Sequence, residues 1–140
     1  MEDLFFFLHI AGVVVSFISI LYADHAGFNW FRGKADRVEE SKIRKAHRFV
    51  WTGLILTIVS GIIVFWDKRG YLLHDSPAFW GKMAFVLALT INGFFIGRFL
   101  GVSTQKAFKD LTTKEKIPLF ISGAVSSISW AGAFILAFFL

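Results

Sequence analysis

The 140-residue chain is 56% hydrophobic, contains 18 Phe and no Cys, and carries a formal charge of +5. That apolar content excludes an ordinary soluble domain, which would leave large apolar patches in water. The absence of thiols excludes disulfides, thiolate metal sites, iron–sulfur clusters and cysteine nucleophiles.

The first element is Leu4–Tyr22, which holds no Asp, Glu, Lys or Arg. Nineteen residues at about 1.5 Å each suffice to cross a hydrocarbon core of roughly 30 Å. Glu2 and Asp3 stand where a signal peptide would be basic, so this stretch is expected to remain as a span. His9 lies in its outer half, and an ionisable side chain in lipid is a functional-site hypothesis by default.

A polar connector at about 23–46 follows. It holds Arg32, Lys34, Arg37, Lys42, Arg44 and Lys45, with Arg48 just beyond. Gly27 and Gly33 are expected to break the chain after the first span. Asp36–Lys45 reads as a short helix running into span two, supported by Glu40 and Arg44 at i,i+4 with the acid first.

The remaining spans are expected at about 47–66, 78–101 and 117–140. The connector between spans two and three holds Lys68 and Arg69. The last connector, about 102–116, holds Lys106, Lys109, Lys114 and Lys116, and Arg98 sits at the same end. Ser76-Pro77 predicts an N-cap and a first helical residue for span three. Thr112-x-x-Glu115 predicts a capping box before span four, and Pro118 a kink within it. Trp66 and Trp80 are expected in an outer aromatic belt and Trp51 in an inner one.

Twelve Lys/Arg thus fall on one side and three on the other, counting Lys82. The positive-inside rule places the first and third connectors in the cytoplasm. The sequence therefore predicts an all-α integral membrane protein of one domain, a four-transmembrane-helix up-down bundle, N-out and C-out. The basic excess is mainly a topology signal, with contact to anionic lipid as a secondary role, and not a mark of nucleic-acid binding. Small residues recur four apart in every span: Gly12/Ser16, Gly53/Thr57/Gly61, Gly93/Gly97/Gly101 and Gly123/Ser127/Ala131. Such stripes let helices pack closely within the chain or between copies of it, as a Gly-x-x-x-Gly homo-oligomer would.

His9 and Lys82 should lie at similar depth, each about five or six residues, roughly 9 Å, from the outer end of its helix. Facing inward, they would share a pocket, with His74 and Asp75 in the loop above. A neutral imidazole is a competent ligand for haem iron or copper, and a lysine can hold a carboxylate or donate a proton. The bland alternatives are a His9 hydrogen bond to a Ser or Thr and a Lys82 that snorkels to the interface. His25 and His47 belong to the inner surface, where hydration alone would satisfy them. Asn92, Ser122, Ser126 and Ser129 either line a polar seam or bond across helices. No span holds Asp or Glu, which weighs against a proton-coupled transporter.

Leu8-His9-Ile10 in the first span, Trp80-Gly81-Lys82 opening the third, and Tyr22-Ala23-Asp24-His25 closing the first carry a resemblance. They are similar to motifs of the superfamily of HemJ-type membrane protoporphyrinogen oxidases and CopD-type copper-resistance proteins. The resemblance implies a four-helix membrane core, haem b as cofactor, and dependence on a first-span His and a third-span Lys, here His9 and Lys82. The family's first-span Trp and its Leu-Pro-Arg-Leu run are absent; Val14-Val15-Ser16 and Ile20-Leu21 stand there instead.

The leading expectation is a haem- or porphyrin-binding redox protein of the inner membrane. His9 would be the axial metal ligand, Lys82 the anion or proton partner, and His74 or His47 a second ligand. If an enzyme, it would be an oxidoreductase of the protoporphyrinogen-oxidase type. The alternatives are a non-catalytic packing subunit without cofactor and a copper or small-solute carrier.

Overall fold

The computed structural model describes residues 2–67 and 73–140, apart from the side chains of residues 2, 99 and 100. Lys68 and Arg69 of the second connector lie outside them. The described residues are helical, with no strand. Four long helices follow in order: α1 (Glu2–Phe31), α2 (Glu40–Trp66), α3 (Pro77–Leu100) and α4 (Thr113–Ala137). Two short 3₁₀ turns, Gly101–Thr104 and Phe108–Asp110, link the last two. All four helices are long and apolar enough to cross a membrane, which makes this a multi-pass membrane protein. Side chains such as Phe7, Ile18, Phe94 and Ile128 point outward, as a lipid-facing surface requires.

Helix α1 corrects one expectation. It runs through Gly27 for 30 residues, about 45 Å, well beyond the first apolar run. Gly33 alone makes the break. Its φ of +75° suits a residue without Cβ, and Gly33 N donates to Trp30 O while Lys34 N donates to Asn29 O. That pair of bonds is the Schellman motif, which satisfies carbonyls the helix end would leave free. The extra turns persist because Trp30 is buried against Val38 and Leu111, with Phe108 edge-on to its ring. Tertiary packing of that kind outweighs the roughly 1 kcal/mol that an internal glycine costs.

Helix α2 starts at Glu40, so residues 36–39 of the expected short helix are not helical. The Glu40–Arg44 ion pair is present on its first turn. Ser76 caps α3 by accepting from Phe79 N at 3.4 Å, with Pro77 first in the helix. Ahead of α4, Glu115 Oε1 accepts from both Thr112 N and Thr112 Oγ1, and α4 continues through Pro118.

The helices pair as α1 with α2 and α3 with α4. In the first pair, two small-residue stripes meet. A Cβ on Gly53 would come 2.7 Å from Gly12 O, and one on Gly12 would come 2.5 Å from Thr57 Oγ1. Ser16 is fully buried beside them and donates to Val50 O. In the second pair, Asn92 Nδ2 donates to Ser122 O at 3.1 Å while Ser122 Oγ donates to Asn92 Oδ1 at 2.8 Å. The serine and asparagine are thus spent on one another.

Between α2 and α3 the contact is made by large side chains. Phe65 stacks on Phe79, Trp51 lies against Phe94 and over Gly93, and the His47 ring lies over Gly97. Trp51 therefore packs between α2 and α3. Trp66 and Trp80 remain exposed. At one end the two basic connectors meet: Trp30 Nε1 donates to Lys106 O and Val38 N donates to Ser103 O.

Candidate functional site

His9 sits on the α1 face that carries Gly12 and Ser16, one turn closer to the N-terminus. The close approach that those small residues permit brings its ring against α2. His9 Nδ1 lies 2.9 Å from Thr57 O, with Ser60 Oγ at 3.5 Å. A carbonyl oxygen can only accept, so Nδ1 carries the proton and Nε2 keeps a free lone pair. Ser60 directs its own hydroxyl hydrogen back to its helix, at 2.5 Å from Leu56 O. Gly61 supplies the room, since a Cβ there would stand 3.1 Å from His9 Cε1.

Lys82 is the sixth residue of α3. It forms no hydrogen bond or ion pair among the described residues. His9 and Lys82 thus stand on different helix pairs.

The other two histidines of interest lie elsewhere. His74 is exposed in the loop before α3, with Nδ1 3.2 Å from Asp75 Oδ1 and its carbonyl accepting from Trp80 Nε1. His47 precedes Thr57 by ten residues, about 15 Å along α2. His47 is thus nearly three helical turns from the carbonyl that holds the His9 ring. His47 Nε2 accepts the Trp51 indole N–H at 3.0 Å, an i,i+4 bond within α2. Among the described residues no three His, Asp or Glu side chains converge as a metal cage would require.

The His9 ring is oriented by the Thr57 carbonyl. A ligating histidine commonly gives its second ring N–H to a carbonyl, which fixes the tautomer and raises ligand basicity. Sequence reasoning selected His9 and Lys82 but missed Thr57 O as the orienting group. The stripe Gly53/Thr57/Gly61 marked the face, yet a backbone acceptor leaves no trace in residue identity. Compared with known proteins, the chain matches no family model, no curated protein and no solved structure.

Proposed function

We propose that this protein is a haem- or porphyrin-binding redox protein of the membrane, similar to the HemJ-type oxidases, with His9 as the residue that would hold the iron. The observation that carries this reading is the His9 Nδ1–Thr57 O bond, which leaves Nε2 as a lone-pair donor in the outer membrane half. Lys82, cationic and without a partner among the described residues, would neutralise a carboxylate of the bound group or supply a proton. Exposed His74 is the available second ligand on the α3 side. Haem, when bound, supplies one-electron chemistry; the protein supplies the ligand, its orientation and the balancing charge. An enzymatic activity would be of the oxidoreductase type, with Lys82 holding a carboxylate of the substrate.

In this reading the four helices form an up-down bundle in the cytoplasmic membrane, with both termini outside. The joined basic connectors face the cytoplasm, in keeping with the twelve-to-three division of Lys and Arg. The test is an absorption spectrum of detergent-purified protein made with ample haem, oxidised and then dithionite-reduced. A Soret band that shifts on reduction and disappears in His9→Ala, with helical circular dichroism retained, supports the assignment. A band that survives in His9→Ala overturns it.

A second reading has one observation in its favour. Gly123, Ser127 and Ala131 form an exposed stripe on α4, and a Cβ on Gly123 would meet nothing within 4 Å. Such a face suits close packing against another helix in lipid, as in a cofactor-free subunit or a homo-oligomer. A featureless spectrum together with a detergent-stable dimer would favour it.

A further inference from the structure

A cavity of about 330 Å³ opens between α2 and α3 at the basic end, far from His9. Its size falls at the lower end of the roughly 300–1,000 Å³ of ligand sites. Gly97 and Gly101 leave the α3 wall without side chains, and a Cβ on Gly101 would meet nothing within 4 Å. Arg44 and His47 approach from α2, and Gln105 from the connector.

These side chains present unspent hydrogen-bond donors. His47 receives the Trp51 indole N–H on Nε2, so the neutral ring carries its proton on Nδ1, which has no partner among the described residues. Arg44 gives one of its five N–H groups to Glu40. Gln105 has its amide free among the described residues and is exposed. Thr104, also on the wall, spends its hydroxyl hydrogen on Gly101 O.

The occupant's charge and position follow. Glu40 offsets Arg44 at short range, so the pocket suits a monoanion better than a dianion. The connectors around it, rich in Lys and Arg, add a longer-range attraction for anions. His47 stands at the polar edge of the apolar run Phe49–Trp66, which is headgroup level for a spanning helix. A phosphodiester is a monoanion found at that depth.

We propose that this cavity binds the phosphodiester headgroup of an anionic glycerophospholipid, held by Arg44, the His47 Nδ1–H and Gln105. Trp51 is a positioning residue, fixing the histidine tautomer from the far side of the ring. The site is separate from His9 and does not depend on the haem reading.

The experiment is native mass spectrometry of the delipidated full-length protein in detergent. The probes are phosphatidylglycerol, a phosphate-free glycolipid of the same chains, and inorganic phosphate as competitor. One phosphatidylglycerol per chain is expected to be retained in preference to the glycolipid. Arg44→Gln should weaken retention roughly tenfold, the scale of one charged hydrogen bond, and Gly101→Leu should weaken it by filling the cavity with a side chain. Gln105→Ala, exposed and unpacked, should weaken it with the melting temperature unchanged, which separates binding from folding. Equal retention of the glycolipid, or retention unaffected by all three variants, overturns the proposal. Displacement of the lipid by equimolar inorganic phosphate overturns the lipid assignment in favour of a free-phosphate site.

Discussion

His9 Nδ1 and the Thr57 carbonyl oxygen lie 2.9 Å apart across the α1–α2 interface. That one bond both ties the helices together and leaves the opposite ring nitrogen for a ligand. The two roles separate by substitution. His9→Gln can keep an N–H donor to Thr57 O but offers no imidazole to iron. It is expected to hold the melting temperature near that of the parent and, in the haem-binding reading proposed above, to abolish the Soret band. His9→Ala should lose both, with a stability cost of about 0.5–1.5 kcal/mol for the missing hydrogen bond. Equal stability of the two variants would show that the bond contributes nothing.

Glycines in this chain differ in what surrounds them, and their tolerance should differ accordingly. Gly53→Val would drive a side chain into the backbone of Gly12. The α1–α2 pair should lose about 1–3 kcal/mol or more, the usual cost of overpacking. Gly27→Ala lies within α1 in open space and should stabilise the helix by about 0.4–1 kcal/mol. Gly123→Ala, equally open and inside α4, should stabilise a monomer by a similar amount. Thermal unfolding in detergent reads all three.

Asn92 and Ser122 form a closed reciprocal pair within the α3–α4 interface. A double-mutant cycle with Asn92→Ala and Ser122→Ala should give a coupling energy of about 0.6 kcal/mol, with about 1.7 as the upper range for such bonds in membranes. Additive effects would mean the two groups do not act as a unit.

Trp30 clamps the end of α1 to the last connector through Lys106 O. Trp30→Ala should release that connector and speed tryptic cleavage after Lys106 and Lys109, while leaving the helical signal of the spans intact. Unchanged cleavage would place the connector's order in its own turns.

Because the chain has no Cys, single introduced cysteines report orientation without background. A thiol reagent that cannot cross membranes should label Asp3→Cys in intact cells. It should label Ser41→Cys only after permeabilisation. The reverse pattern would overturn the proposed topology.

Four spans, with ends mostly within a few residues of those found, were legible in the sequence because insertion depends on hydropathy summed over about twenty residues. The Ser76-Pro77 start and the Glu40–Arg44 pair were legible for a similar reason, since both are local. What the sequence left open was which faces meet. In lipid, association is set by close packing and hydrogen bonds rather than by hydrophobic contrast, so an apolar face does not announce its partner. Only the tertiary structure decided that Gly12 meets Gly53, that Trp51 turns inward over Gly93, and that Trp30 carries α1 past Gly27. It alone decided that His9 is oriented by a main-chain carbonyl. Every residue has that group, so the side-chain sequence cannot single out Thr57; the fold does so by bringing the two helices within contact there.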